Sequence, residues 1–383
     1  MAATMCKTWV MGMVFLVLSV QQGHADGPVH FQVSKCRGCD AMSSGGLVVE
    51  RTISDGSLRL FVWNTTKPTA APQELAVPNT PWLLVECIND AGLVVAHSSR
   101  LGSAELHPLL WDTKHPTTLP KELVVPEGTS GRARAINNKG LIAGDFSKDD
   151  EEYAVLWNAN GSAAAPVALV TPKGRKSHVN AINDKGLVVG RISMEDSHRA
   201  VVWDANDTTA PPKFLATPAG TSSYACAINA NGQVVGCLRS KNGDRPALWD
   251  ANDPNTVPKR LAEVTGLEDL IPFNADRRFV LRGINDQGQI VGSVRLYSKG
   301  PQYIMSDSYP ILWDRAKAVH LDQQFAGFEG ELACHRFKNV MAINNMGQII
   351  IVYKDEFNHQ ERTYLLTPST GSDGRASKSA KKP

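Results

Sequence analysis

The sequence predicts an all-β chain: a seven-bladed β-propeller of four-stranded blades, its ring closed by an amino-terminal strand that completes the last blade. Three observations carry this expectation. A motif of small residue, aliphatic, Asn, two variable residues, Gly and an aliphatic pair recurs seven times, and a repeat of fixed period sets the architecture before any other feature. A Trp follows each of the first six copies, 20–22 residues on in the first five. The last copy ends one strand short, while a strand-like segment without a partner stands at the other end of the chain.

The clearest copies are Ala135-Ile136-Asn137-Asn138-Lys139-Gly140, Ala181-Ile182-Asn183-Asp184-Lys185-Gly186, Ala227-Ile228-Asn229-Ala230-Asn231-Gly232 and Gly283-Ile284-Asn285-Asp286-Gln287-Gly288. Copy two centres on Asn89 and copy seven on Asn344, while copy one has Ser43 in place of Asn. From Asn to Trp is 20 residues in copies three to five (Asn137 to Trp157, Asn183 to Trp203, Asn229 to Trp249). From Trp to the next Asn is 26 residues in four successive intervals beginning at Trp63. Both connections are therefore structural.

Within each unit the small and branched residues before the Asn, the turn closed by Gly and the Val/Ile-rich run after it form a hairpin, because Asn bonds its own backbone in turns and Gly accepts positive φ. A third strand ends in the Trp. A fourth places Leu75, Leu123, Leu169 and Leu215 each 12 residues after its Trp. Four strands in about 48 residues is the length of a propeller blade.

In chain order, residues 1–25 read as a signal peptide, with an apolar run from Thr8 to Val20 and small residues ending at Ala25. The run is too short for a membrane anchor. Residues 26–368 form the propeller. Val29-His30-Phe31-Gln32-Val33 supplies the outer strand of blade seven, which otherwise ends at Tyr364-Leu365-Leu366-Thr367-Pro368; closure removes a free sheet edge. Residues 369–383, rich in Ser, Gly and Lys, read as a disordered basic tail. The expected location is secreted or periplasmic, and the expected state a monomer. A net charge of +2 does not suggest nucleic-acid binding.

The Ala-Ile-Asn-x-x-Gly-x-Val-Val-Gly hairpin followed by Ala-x-Leu-Trp-Asp resembles the HAF-type extracellular repeats of secreted bacterial proteins, which are understood as propeller blades. The resemblance covers nearly the whole mature chain. Departures fall at Ser43, at Glu50 and Ala96 where the closing Gly belongs, and at Leu366 where a Trp belongs. The resemblance implies a fold and little about activity.

Trp63, Trp111, Trp157, Trp203, Trp249 and Trp313 read as packing between blades, each burying ~150–250 Å², on the order of 4–6 kcal/mol as an upper bound. The Asn residues read as turn caps. Three intervals break the period, and all lie in copies five to seven: Trp249 to Asn285 (36 residues), Asn285 to Trp313 (28) and Trp313 to Asn344 (31). With strands alternating in direction, all three insertions fall on one rim, where loops vary without disturbing the blades. They carry Asp276, Arg277, Arg278, Arg282, Tyr297, Tyr303, Asp307, Tyr309, His335 and Arg336, residue types that suit a recognition patch. The expected function is thus a non-enzymatic exported propeller that binds a protein or glycan through the rim of blades five to seven. The alternative is a secreted or periplasmic hydrolase or lyase with carboxylates at the channel mouth, where one carboxyl held protonated would mark acid–base chemistry.

No Gly-x-Ser-x-Gly elbow, phosphate-cradling loop or ligand-spaced His pair is present, and no cofactor or metal is expected. Asp149, Asp150, Glu151 and Glu152 read as a solvated acidic run rather than a calcium site. Six cysteines follow the signal segment, an even number that permits disulfides in an exporting compartment. Cys36 with Cys39, and Cys226 with Cys237, are the candidate pairs; simple pairing about the hairpin makes Cys226 and Cys237 diagonal unless a bulge intervenes.

Overall fold

The computed structural model describes residues 15–16, 31–36, 38–54, 56–100, 102, 105–149, 151–161, 165–241, 243–262, 276–297, 305–315, 317–321, 335–355 and 361–368. Every regular element of length among them is a β-strand, and the strands assemble as seven antiparallel sheets, one per sequence repeat. The chain is a seven-bladed β-propeller. Blade four shows the pattern: an innermost strand Ser177–Ile182, then Leu187–Ser193, His198–Asp204 and a short outer strand Lys213–Phe214. In blade seven the outer strand is Phe31–Cys36, which pairs antiparallel with Glu361–Pro368, so the amino-terminal segment closes the ring. Phe15–Leu16 adds a two-residue bridge to that strand's free edge.

A blade has two apolar faces, and the core lies between blades rather than within them. The buried side chains divide into seven clusters, one at each blade interface, including one between blades seven and one (Cys39, Val48, Trp63, Ile350, Leu365). The Trp residues occupy these interfaces as expected. From the second blade to the sixth, each Trp also donates its indole N–H to the preceding blade: Trp111 to the Ala76 carbonyl, Trp157 to Val124, Trp203 to Val170, Trp249 to Ala216 and Trp313 to Ala262, at 2.7–3.0 Å. In each case the acceptor follows the Leu at the end of the fourth strand, which is buried in the first four of these connections and partly buried at Leu261. Trp63 differs, since its buried Nε1 finds no acceptor among the described residues. The connector that would supply one is two residues long in the last blade, between Cys36 and Cys39.

The Asn of each motif does more than cap its turn. Asn183 Oδ1 accepts the backbone N–H of Lys185 (3.1 Å) and Leu187 (3.0 Å), while Nδ2 donates to the Asn229 carbonyl of the next blade (2.9 Å). The same blade-to-blade donation runs from Asn89 to Asn137, Asn137 to Asn183, Asn229 to Asn285 and Asn285 to Asn344. At blade one, Ser43 keeps the turn bond, with Leu47 N–H on its Oγ at 3.0 Å, but has no amide to donate. Between blades seven and one the Asn344 amide donates to Gln348 Oε1 of its own blade (2.8 Å), and the ring closes through the Asn345 N–H on the Ser44 carbonyl (3.1 Å). Gly186, at φ +86°, closes the turn where a Cβ would meet the Asn206 amide at 2.7 Å.

Two stability measurements follow. Asn183→Ala deletes two accepted bonds and one donated bond at a buried site, so urea unfolding should show a loss of about 2–4 kcal/mol; a loss under about 1 kcal/mol would reject the inter-blade role. Trp203→Phe should cost about 1 kcal/mol more than Trp63→Phe, because only the first removes a satisfied hydrogen bond. The reverse order would show that the indole bonds do not hold the blades.

Candidate active site in the central channel

The seven innermost strands contact one another in a ring and line the channel. Each carries a β-bulge at the same place, three residues before the motif Asn or Ser: the register slips between Cys39 and Ala41, Val85 and Cys87, Ala133 and Ala135, Val179 and Ala181, Ala225 and Ala227, Leu281 and Gly283, and Val340 and Ala342. A bulge re-aims the side chain it inserts. The bulged residues, in blade order, are Asp40, Glu86, Arg134, Asn180, Cys226, Arg282 and Met341. The closing Gly of the motif exists for this bulge: Gly190 faces it, and a Cβ there would run into the His178 carbonyl.

In blades one to three the bulged residue meets the residue eight positions after the motif Asn or Ser, on its own second strand. Arg51 binds Asp40 (Nε to Oδ2, 2.7 Å) and reaches the Leu83 carbonyl of blade two (3.3 Å). Arg134, itself half-buried, forms an ion pair with the buried Asp145. His97 Nδ1 lies 3.5 Å from Glu86 Oε1 without forming a hydrogen bond. Asn180 donates across the blade gap to the Ala225 carbonyl (2.6 Å).

Among the carboxyl groups of the ring, Glu86 is the one brought closest to neutrality. Burial pushes its carboxyl up to about 7, against the pull of Arg134, Arg282 and Arg132 and with the help of Asp145. Arg282 stands three blades away round the ring, so the field acts across the channel. The Glu86 side chain keeps 23% of its surface exposed, which leaves it open to a molecule in the channel. His97 is held down at about 4 by burial and by Arg134 and Arg132, so it is neutral beside Glu86 at neutral pH. Burial also raises Asp40 and Asp145 despite their Arg partners, and forces His178 far down. A carboxyl half protonated at neutral pH can both take and give a proton. No cluster of three or more metal-ligating side chains stands among the described residues.

The rim patch expected from the sequence is corrected in part. Most of its residues lie in lengthened strands rather than loops, because alternation continues through them: the inner strand of blade six is Asp276–Ile284, its second strand Ile290–Tyr297, its third Met305–Asp314, and the inner strand of blade seven is His335–Ile343. Arg277 and Arg278 are exposed, with the Arg278 guanidinium 5.2 Å over the Tyr297 ring. Tyr309 instead packs edge-on against His320, with centroids 5.3 Å apart. Arg282 belongs to the channel ring. Tyr303, and the side chains of Asp276, Asp307, His335 and Arg336, lie outside the described residues.

The Cys226–Cys237 disulfide is also corrected. The bulge puts Tyr224 opposite Cys237 and leaves Cys226 between two register pairs, and both sulfurs are free thiols. Burial raises Cys226 to about 12 and holds Cys237 well above the ordinary thiol value, so neither is a ready nucleophile. Cys39 is buried in the interface between blades seven and one, and the Cys36 side chain lies outside the described residues.

No family model and no curated protein matches the chain. Among solved structures it is similar to puromycin hydrolase, an S511A mutant complexed with PGG (TM-score 0.51, 10% identity, covering 86% of this chain and 53% of that one). It is similar also to oligopeptidase B from Leishmania major (0.51, 9%, 87% and 48%) and to acylaminoacyl peptidase in complex with Z-Gly-Gly-Phe-chloromethyl ketone (0.50, 12%, 85% and 53%). The chain spans about half the length of these enzymes, and at such identity the likeness concerns the fold. The expectation of a non-enzymatic binder is nonetheless corrected: the propellers it resembles are parts of hydrolases, and the titratable groups gather in the channel. The alternative drawn from the sequence, a hydrolase with channel carboxylates, is the better-backed reading.

Glu86 has a stability signature. Its folded value lies above the ordinary carboxyl value of 4.5, so its protonated form favours folding below about pH 4.5 and that contribution is lost as pH rises to about 7. Glu86→Gln should therefore gain stability relative to wild type between pH 4.5 and 8. A difference that does not change with pH would place Glu86 in an ordinary solvated setting.

Proposed function

We propose that this chain is an exported hydrolase that works in its central channel, with Glu86 as the acid–base group and an amide or ester of peptide type as substrate. The observation that carries the reading is the Glu86 carboxyl, open to the channel and balanced near neutrality by burial and three guanidinium groups. As carboxylate, Glu86 takes a proton from a water that attacks the scissile carbonyl. The new C–O bond forms as the carbonyl electrons move onto oxygen, in the positive field of Arg132 and Arg134 on the next blade. Collapse breaks the bond to the leaving group, to which Glu86 returns the proton. Asp145 positions Arg134 through their ion pair, and the neutral His97 beside Glu86 adds no charge that would lower its carboxyl.

Hydrolysis is favoured over elimination because the similar folds belong to proteins named as a hydrolase and peptidases. The export signal ending at Ala25 and the resemblance to secreted HAF-type repeats are parts of the same proposal. A panel of fluorogenic peptide amides and esters tests it. Turnover should follow a limb near pH 7, and Glu86→Gln should lower kcat by about 10²–10⁴-fold with folding intact. Full activity in Glu86→Gln, or none in wild type across the panel, would defeat the proposal.

A further inference from the structure

Blade six carries polar groups that the proposed chemistry leaves unused. Arg282, its bulged residue, is exposed to the channel and forms no hydrogen bond or ion pair among the described residues. Burial and the charge of Arg295 disfavour its protonated form while Cys226 and Glu86 favour it, so the two guanidinium groups feel each other, and among the described residues no carboxylate forms an ion pair with either.

Val291 and Leu312 pack into the interface with blade seven. Ser293 and Arg295 follow Val291 at two-residue steps on the same strand, so they share its face. The register sets Ser308 opposite Arg295. Ser293 Oγ, Arg295 Nε and Ser308 Oγ are each buried with no hydrogen-bond partner. Buried polar atoms are nearly always satisfied, and a concentration of orphan donors beside two cations asks for an acceptor that carries negative charge. Water satisfies a hydroxyl but does not neutralise a guanidinium pair. The planar fork of Arg matches the two oxygens of a carboxylate.

We infer that Arg282, Arg295, Ser293 and Ser308 form an oxyanion subsite opening onto the channel, and that it receives the free carboxylate of a peptide substrate. The subsite itself stands on the blade-six geometry; the word substrate rests on the hydrolase reading above. Arg282 lies across the channel from Glu86, so a short peptide anchored by its terminal carboxylate would present an acyl bond toward the acid–base group.

The test is calorimetric titration of the full chain with N-acetyl-glycylglycine and with its carboxamide. Wild type should bind the free acid at least about tenfold more tightly than the amide, since a desolvated charge-assisted contact is worth ~1.4 kcal/mol or more and that is tenfold in affinity. Arg282→Gln, with an unchanged melt, should bring the two ligands within about threefold. Equal affinities in wild type, or binding of neither, overturn the subsite, and that comparison needs no variant to fold. Glu86→Gln separates the two ideas: it should keep the acid preference and lose hydrolysis. Acid preference with hydrolysis unaffected in Glu86→Gln sustains the subsite and removes the hydrolase assignment.

Discussion

Everything in this molecule depends on the contact between one blade and the next. A four-stranded sheet with two apolar faces cannot bury either by itself, and the seven cores all lie at interfaces. Dispersion and water exclusion draw the faces together without direction, so the angle between blades needs a directional bond. The Asn side chains supply it near the axis and the Trp indoles supply it farther out, each reaching one blade along. Two anchors at different radii fix a wedge angle, and a fixed wedge angle fixes the number of blades.

That rigidity is what leaves the channel free to vary. Because the Asn turn is pinned on one side and the hairpin register on the other, the extra residue at each bulge can be of any chemistry without loosening the ring. Asp, Glu, Arg, Asn, Cys, Arg and Met all occupy the same backbone place. The charged members cluster in blades one to three and recur in blade six, so the channel wall has an acid–base side and a cationic side. A scaffold repeated for stability thereby holds an asymmetric site, which is the condition for acting on an asymmetric molecule.

The blade count, the strand order, the closing strand and the placement of the Trp residues were legible in the sequence because periodicity repeats each signal several times. The bulge ring was not, because Asp40, Glu86 and Arg134 share no property and fall where the motif reads as variable. A signal was present: Gly144, Gly190, Gly236 and Gly292 close the hairpins well beyond the turn, where no turn needs Gly. Only a bulge opposite explains them. The donation by each Asn amide was hidden for another reason, since it depends on the curvature of the ring and not on the hairpin. Long intervals in the last blades read as loops in the sequence, whereas much of their length extends strands such as Met305–Asp314.

The meeting of blades seven and one is built unlike the other six. The Asn344 amide, which by the pattern of the other blades would reach blade one, donates instead to Gln348 Oε1 of its own blade, and Trp63 Nε1 finds no acceptor among the described residues. Local opening in a cooperative fold begins where the fewest directional bonds must break at once, so the ring has a preferred place to part. A propeller that parts along one radius, like a split washer, admits through its side an object too wide for its bore. Glu86 stands on the second blade, one step from that seam, so any parting there bears first on the side of the channel that carries the raised carboxyl.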